Sequence, residues 1–176
     1  MITLDQLRAI MPYAGSRAAN FLDPLNRAMD ERGIDTPGRQ AAFLAQIAHE
    51  SGSLRYVKEI ASGEAYEGRR DLGNTEPGDG PRYKGRGLIQ ITGRANYRDC
   101  SLALFGDEHV LIDHPEFLEL PENACRSATW FWASRGLNER ADRGEMERIT
   151  RIINGGTNGL ADRLAHWDRA LKVLAV

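Results

Sequence analysis

The chain has 176 residues, of which 41% are hydrophobic, so it has the size of one ordinary domain with a single core. Its net charge of -2 argues against nucleic acid as the main partner, because proteins that bind nucleic acids usually carry a clear basic excess. No apolar run approaches the roughly 20 residues of a membrane-spanning helix, and the first residues lack the basic and apolar regions of a secretory signal.

Two helices are predicted before residue 36. Thr3 and Gln6 form a capping-box pattern that opens a short first helix. A second helix is expected from about Ser16 to Arg32, and Gly33 ends it. Both elements belong to the predicted helical part of the core.

The third predicted helix carries the first candidate catalytic residue. Thr36-Pro37 places an N-cap residue before a proline at the first helical position, and apolar residues recur at helical spacing from Phe43 to about Glu50. Glu50 comes seven residues after Phe43, close to two helical turns, so both side chains project in the same direction. A carboxyl group on an apolar stripe is partly desolvated, and desolvation favours the protonated form that a general acid needs. The alternative is a solvated glutamate at a frayed helix end.

A second carboxylate is needed if the chain hydrolyses glycosidic bonds by direct displacement, because one group must activate water from the opposite face of the sugar. Glu59 is the first candidate, and Glu64 and Glu67 compete with it. A spacing of nine residues would put Glu50 and Glu59 on opposite faces of an unbroken helix. The pairing therefore requires the chain to turn near Ser51-Gly52-Ser53.

Residues 63–93 differ from the rest, with eight glycines and two prolines among charged residues. We predict an ordered loop region with a small hairpin, inserted between two helical halves. If Leu88 to Thr92 is extended, Gln90 and Thr92 share one face, where an amide and a hydroxyl suit sugar hydroxyls and a bound water. The alternative is the polar solvent face of an edge strand.

Further helices are predicted after this region. Leu102 to Phe105 and Ala124 to Ala133 have helical patterns, and Asp142 is expected to cap a helix that ends at Asn154-Gly155-Gly156. The last helix has one apolar stripe, formed by Leu160, Leu164, Trp167, Leu171 and Leu174. The predicted fold is mainly α, with two helical lobes, a small β/loop region and a central cleft, as one domain over residues 1–176.

Several other site types lack their signatures. The segment that begins at His49 has no second histidine of a zinc-protease helix, and Gly85-Arg86-Gly87 lacks the third glycine of a dinucleotide-binding turn. The four histidines form no ligand cluster, so we predict neither a metal nor a cofactor. Cys100 and Cys125 have no metal-ligand spacing and are expected to be buried thiols in a reducing compartment.

Three blocks resemble signatures of glycoside hydrolase family 19, the chitinase-like family. FLAQIAHESG at residues 43–52 resembles the acid-bearing helix of the family. KGRGLIQITG at residues 84–93, with Asn96-Tyr97 after it, resembles the central signature. IINGG at residues 152–156, followed by ADR at 161–163, resembles the C-terminal signature. The blocks occur in the family's order and cover the chain from about residue 36 to 170.

This resemblance implies a lysozyme-like, largely helical fold and an inverting mechanism without a cofactor. It implies that Glu50 is the general acid, that Glu59 is the general base and that Thr92 holds the attacking water. Arg163 would lie beneath the site and pair with a glutamate that it keeps ionised as a base. The implied substrate-binding residues are His49, Tyr83, Gln90, Asn96, Asn154 and Arg163.

Within the family, the length and opening helices are most similar to bacteriophage endolysins. In the plant chitinases the second glutamate lies much farther along, after an aromatic-rich loop that this chain lacks, so we expect a cleft opened for bulkier peptidoglycan. We predict a monomeric endolysin without a separate wall-binding module or stable membrane insertion. It would hydrolyse β-1,4 bonds of bacterial peptidoglycan for host lysis, after synthesis in the host cytoplasm and release through a holin or equivalent. The alternatives are a chitinase acting on N-acetylglucosamine polymers and a non-catalytic sugar-binding module, which the intact Glu50, Thr92 and Asn154 disfavour.

Overall fold

A computed structural model describes residues 1–175, within which the chain forms ten α-helices. The helices are α1 (Leu4–Ile10), α2 (Arg17–Glu31), α3 (Pro37–Glu50), α4 (Asp79–Arg82), α5 (Arg94–Phe105), α6 (Val110–Asp113), α7 (Pro121–Ser134), α8 (Leu137–Asp142), α9 (Met146–Asn154) and α10 (Leu160–Val173). Short 3-10 helices span Pro12–Ala14, Glu64–Tyr66, Arg70–Leu72 and Pro115–Glu119. The prediction of a mainly α fold is confirmed.

The helix starts follow the capping signals in the sequence. Thr3 and Gln6 form the predicted capping box, since each side chain accepts a hydrogen bond from the other residue's backbone N–H. Thr36 caps α3 through a hydrogen bond from the Arg39 backbone N–H, and Pro37 occupies the first helical position. The predicted bounds of α2 and α3 are therefore confirmed to within one residue.

Helix α3 lies at the centre of the molecule. Residues 40–48 are buried without interruption, which an amphipathic surface helix would not allow. Helix α10 is its main packing partner, and Phe43 meets Trp132 of α7 edge to face at 5.4 Å between ring centroids. The position of Glu50 at the end of this helix is therefore fixed by the surrounding core.

Two hydrophobic clusters form the cores of two lobes. The larger cluster contains residues of α1, α2 and α3 and of every helix from α7 through α10. The smaller cluster is built mainly from α5, α6 and the residues around Tyr83. Ile89 belongs to the larger cluster, whereas Ile91 belongs to the smaller one. The intervening Gln90 therefore lies at the boundary between the lobes, which is a natural place for a site.

The predicted strand from Leu88 to Thr92 is wrong. Arg86 and Ile91 exchange both backbone hydrogen bonds, at 3.1 and 2.8 Å, and so close a four-residue turn instead of an extended run. Gly87 permits the turn, because its φ is +95° and a Cβ there would lie 2.6 Å from the Ser127 hydroxyl. The β part of residues 1–175 is limited to the isolated bridges Lys58–Arg86 and Arg86–Ile91.

One predicted detail of the C-terminal half is also wrong. Asp142 does not cap α9 but ends α8, where Arg39 Nη2 lies 2.7 Å from its carboxylate. The predicted apolar stripe of α10 is confirmed for Trp167, Leu171 and Leu174, which pack against the larger cluster, whereas Leu164 is 38% exposed. The fully buried positions of α10 are Arg163 and Ala170.

Cys100 and Cys125 are buried free thiols, as predicted, and burial raises the pKa of the Cys100 thiol to about 12. None of the helices within residues 1–175 combines the length and the apolar character needed to cross a membrane. In the same residues, no three His, Cys, Asp or Glu side chains are grouped so that they could hold a metal ion.

Candidate active site

A left-handed turn follows Glu50 directly. Gly52, Ser53 and Leu54 have φ values of +57°, +58° and +67°, and left-handed backbone costs about 1–2 kcal/mol for each non-glycine residue. The buried Ser51 hydroxyl stabilises the turn, since it donates to Ile47 O at 2.5 Å and accepts from the Leu54 N–H at 2.9 Å. The predicted turn near residues 51–53 is confirmed, and two strained non-glycine residues next to a candidate site are a common mark of function.

Glu50 is held from below by a buried arginine. Arg163 is 1% exposed, and its Nη2 lies 2.6 Å from Glu50 Oε1. The same guanidinium donates to Gln46 Oε1 at 2.6 Å and to Asn158 O at 3.1 Å. Gln46 precedes Glu50 by one turn of α3, so one cation ties both side chains to α10.

The expected pairing of Arg163 with a glutamate is therefore present, but its partner is the predicted acid rather than the predicted base. At 1% exposure Arg163 supports Glu50, and a direct contact between its side chain and a sugar is not supported.

Glu59 follows the turn and is half-buried. Its backbone N–H donates to Gly85 O at 2.9 Å, and its Oε2 accepts a hydrogen bond from the Tyr66 hydroxyl at 3.0 Å. Burial and the hydrogen bond to Glu59 raise the pKa of Tyr66, so this hydroxyl stays protonated and remains a donor. Tyr66 thus orients the carboxylate and leaves the other oxygen, Oε1, unused.

Glu50 and Glu59 share an unusual property. Among residues 1–175, the carboxylate oxygens that are buried and lack a hydrogen-bond partner are Glu50 Oε1 and Glu59 Oε1. Arg163 Nη2 is close to the first but out of line for a hydrogen bond. Arg163 therefore compensates the Glu50 oxygen as an ion pair, whereas Glu59 Oε1 has neither kind of partner. An unpaired buried acceptor is costly, and a role in binding or catalysis explains why Glu59 keeps one.

The competing glutamates are differently placed. Glu67 accepts hydrogen bonds from the backbone N–H groups of Gly78 and Gly80, both at 2.7 Å, and so anchors the glycine-rich loop. Glu64 is exposed at the start of a 3-10 turn. These contacts favour Glu59 as the second carboxylate, and its role as base stays a prediction.

Gln90 lies beside Glu59 because Gly85 has no side chain. A Cβ on Gly85 would lie 2.7 Å from Gln90 Oε1 and 3.0 Å from Glu59 Oε2, so both polar groups approach the backbone at this one position. Gln90, Thr92 and Asn96 also line one small pocket, and Asn96 Nδ2 donates to Thr92 O at 2.8 Å. The structure therefore brings these three predicted residues together, and Gln90 is the one that lies beside Glu59.

His49 and Asn154 lie elsewhere around the site. His49 Nδ1 lies 2.7 Å from Asp162 Oδ2, and the hydrogen bond to His49 is the main reason that the pKa of Asp162 is lowered. The imidazole packs directly on Gly159, where any Cβ would overlap the ring. Asn154 is the exposed last residue of α9. Their contacts with substrate stay predictions.

Tyr83 is a correction. Its side chain is 1% exposed, its ring packs on Tyr97 with centroids 5.2 Å apart, and its hydroxyl donates to Ile112 O at 3.0 Å. The predicted contact of this side chain with a sugar is therefore wrong, because Tyr83 belongs to the smaller core. Tyr83 precedes the KGRG segment of the family signature, but its side chain packs in the core.

The sequence did not predict the supporting roles of four residues: Gln46, Ser51, Tyr66 and Asp162. Gln46 had a local signal, since it is a polar residue on a buried helix one turn before Glu50. Tyr66 and Asp162 had none, because their partners lie 7 and 113 residues away and meet them only through the tertiary fold.

Comparisons with known proteins bear on the family and the fold of the chain. No protein-family model matches the chain. A "glycosyl hydrolase family 19 domain-containing protein" of Haemophilus influenzae is 28% identical over 98% of this chain and 96% of its own length. An endochitinase of Arabidopsis thaliana is 41% identical over a match that covers 66% of this chain. The same match covers 38% of the plant protein's own length.

Solved structures share the fold. Chitinase C from Streptomyces griseus superposes with a TM-score of 0.81 at 22% identity, covering 99% of this chain and 77% of its own. A bacterial family 19 chitinase superposes with a TM-score of 0.82 at 21% identity, covering 99% of this chain and 95% of its own. At these identities the likeness concerns the fold, and the mainly α, lysozyme-like architecture is common to all three.

Proposed function

The chain belongs to glycoside hydrolase family 19, and on that premise we propose that it is an endolysin that hydrolyses β-1,4 bonds of bacterial peptidoglycan by an inverting mechanism. The observation that carries the proposal is the pair of carboxylates on Glu50 and Glu59, each with a buried Oε1 that accepts no hydrogen bond; Arg163 Nη2 lies 2.6 Å from the Glu50 oxygen as its ion-pair partner. A two-carboxylate glycosidase needs one such group for the leaving oxygen and one for water.

In the proposed reaction, protonated Glu50 donates its proton to the glycosidic oxygen. Glu59 Oε1 accepts a proton from water, which attacks the anomeric carbon from the opposite face and inverts its configuration. Tyr66 holds Glu59 in orientation through Oε2, and Thr92 helps to hold the water. No cofactor takes part in this scheme.

Sugar binding is assigned to the polar groups around the two carboxylates. Gln90 and Asn96 line the pocket next to Thr92, which places an amide within reach of N-acetyl and hydroxyl groups. His49 and Asn154 complete the proposed binding set. Arg163 acts only through Glu50 and Gln46, because it is buried beneath both.

The biological setting is part of the proposal. A monomeric enzyme would be made in the host cytoplasm and would reach the wall after release through a holin or equivalent. Chitin hydrolysis is the second candidate, and the names of the plant and Streptomyces relatives, endochitinase and chitinase, favour it. Peptidoglycan and chitin both contain β-1,4-linked N-acetylated amino sugars, so the same two carboxylates serve either reaction.

Substrate and stereochemistry can be tested together. Purified peptidoglycan and chitin oligomers are digested separately, and the anomeric configuration of fresh product is followed by proton NMR. The proposal predicts α-configured new reducing ends from peptidoglycan, because inversion of a β bond gives the α product. Cleavage of chitin oligomers with intact peptidoglycan would move the assignment to chitinase. Retained configuration would exclude the inverting mechanism for either substrate.

A further inference from the structure

A cationic pocket adjoins Glu59. It is lined by residues 55–60 together with Lys84. The chain contains three lysines, and two of them, Lys58 and Lys84, line this one pocket. Arg55 adds a third cation. Three basic side chains and one acidic side chain, that of Glu59, therefore line the pocket.

The cations retain capacity to bind an anion. Lys84 Nζ donates to Ala61 O at 3.0 Å, which uses one of its three donors. Lys58 is 56% exposed and lies 3.3 Å from Glu119, but this carboxylate is shared with Arg86 at 3.2 Å. An exposed pair of this kind is weak and exchanges readily with another carboxylate.

The same pocket exposes apolar surface. Ile60 is 84% exposed and Tyr56 is 39% exposed, although both are large hydrophobic residues. The Arg55 guanidinium lies over the Tyr56 ring, 5.3 Å from its centre, so a cation and an aromatic ring are held together at this pocket. Basic groups beside exposed apolar side chains match a ligand that has carboxylates and short aliphatic groups together.

We infer that this pocket is the specificity subsite for the lactyl-peptide substituent of N-acetylmuramic acid. Lys58 and Lys84 bind its carboxylates, and Ile60 and Tyr56 contact its methyl and aliphatic groups. The inference rests on the proposed function, because chitin is uncharged and carries no such substituent. The location beside Glu59 would place the substituted sugar next to the group that activates water.

The test compares three soluble substrates of equal chain length: glycan with peptide stems, the same glycan after an amidase has removed the peptides but left the lactyl carboxylate, and a chitin oligomer. Wild type is compared with Lys58→Ala/Lys84→Ala. We expect kcat/KM on the peptide-bearing glycan to fall about tenfold, the scale of two exposed ion pairs. On the chitin oligomer the kcat/KM of the variant should stay within about twofold of the wild-type value, which also shows that the variant is folded. A loss confined to the peptide-bearing glycan assigns the lysines to peptide carboxylates alone. An equal loss on the stripped glycan, whose lactyl carboxylate is freed only when the amide bond to the peptide is cleaved, shows that the lysines bind a carboxylate in either position.

Two controls separate charge from structure. Lys58→Arg/Lys84→Arg keeps the charges and should retain activity within about threefold, whereas Lys172→Ala removes the third lysine, which pairs with Asp168 on α10, and should change nothing. Raising NaCl from about 0.05 to about 0.3 M should increase the wild-type KM for the peptide-bearing glycan and leave that of the alanine variant flat.

The outcomes are distinguishable. If wild type cuts the peptide-bearing glycan and the alanine variant does so equally well, the subsite inference is overturned while the proposed function stands. If the variant loses activity equally on all three substrates, the lysines serve the fold or the chemistry, and the inference is again overturned. If wild type cuts chitin oligomers alone, the proposed function fails and the subsite fails with it.

Discussion

Replacing Arg163 with methionine should destabilise the fold strongly, because this guanidinium is the buried tie between α3 and α10. It is 1% exposed and contacts Glu50 Oε1 and Gln46 Oε1, both at 2.6 Å, and Asn158 O at 3.1 Å. Methionine has a similar length and fills the volume, so the change removes the charge and its donors with little loss of packing.

The expected magnitude follows from what is left unpaired. Removing one partner of a buried ion pair costs about 3–5 kcal/mol. Glu50 is 22% exposed and can recover some hydration, which favours the lower end. Gln46 is fully buried and keeps its donor bond to Thr150, but it loses the partner of its oxygen. We expect the free energy of unfolding to fall by about 3–4 kcal/mol.

Urea denaturation followed by circular dichroism measures this directly. With a slope of about 2 kcal/mol per molar urea, the midpoint should fall by about 1.5–2 M. Arg151→Met is the matched control, because its ion pair with Glu147 is exposed, and it should cost under about 1 kcal/mol. Adding Glu50→Gln to Arg163→Met should cost less than the single changes sum to, since the partners are coupled. A loss below about 1 kcal/mol for Arg163→Met would refute the tie.

Three further changes test the site's surroundings. Gly159→Ala should destabilise the protein by more than about 2 kcal/mol, because the new Cβ overlaps the His49 ring and the backbone φ is +72°. Tyr66→Phe should lower kcat about tenfold with little change in KM, since it removes the hydroxyl that orients Glu59. Burial lowers the pKa of His166 from 6.5, so the unfolded chain takes up this proton first as pH falls. The free energy of unfolding should therefore fall below about pH 6.5, by at most about 1.4 kcal/mol per pH unit from this group, and level off below the folded-state pKa.

Each of these has a matched control. Gly155→Ala also has a positive φ, +80°, but faces open space, and a cost as large as that at Gly159 would contradict the overlap with His49. Tyr13→Phe alters a tyrosine that is 83% exposed, and an equal loss of kcat there would show a non-specific effect. His166→Gln should flatten the pH slope near 6.5, whereas His109→Gln, at a 68% exposed side chain, should leave it unchanged.

Local signals in the sequence predicted much of the helical frame. The Thr36 cap and Pro37 located the start of α3, and the spacing from Phe43 placed Glu50 at its end on the right face. The geometric conflict in the Glu50–Glu59 spacing also predicted the turn at residues 51–53, because a helix could not bring the two together. These features depend on contacts within a few residues.

What the sequence did not reveal depends on distant partners. Arg163 pairs with Glu50 across 113 residues, so a charged side chain of α10 is buried where the sequence pattern marked only apolar positions. The segment from Leu88 to Thr92 has an alternating pattern, but two backbone hydrogen bonds between Arg86 and Ile91 close a turn there. The turn places Ile89 in the larger core and Ile91 in the smaller one. The sequence predicted that Tyr83 binds substrate, because its burial in the smaller lobe depends on tertiary contacts that no local pattern shows.

The two-carboxylate assignment is tested most directly by the release of new reducing ends from purified peptidoglycan. Wild type, Glu50→Gln and Glu59→Gln are compared at equal concentration, with Glu64→Gln as the control for a nearby exposed glutamate. We expect wild type and Glu64→Gln to release reducing ends at similar rates. Glu50→Gln and Glu59→Gln should each fall by at least about 100-fold, as loss of an acid or base implies. Wild-type rates from both variants, with folding intact by circular dichroism, would contradict the assignment of these two carboxylates.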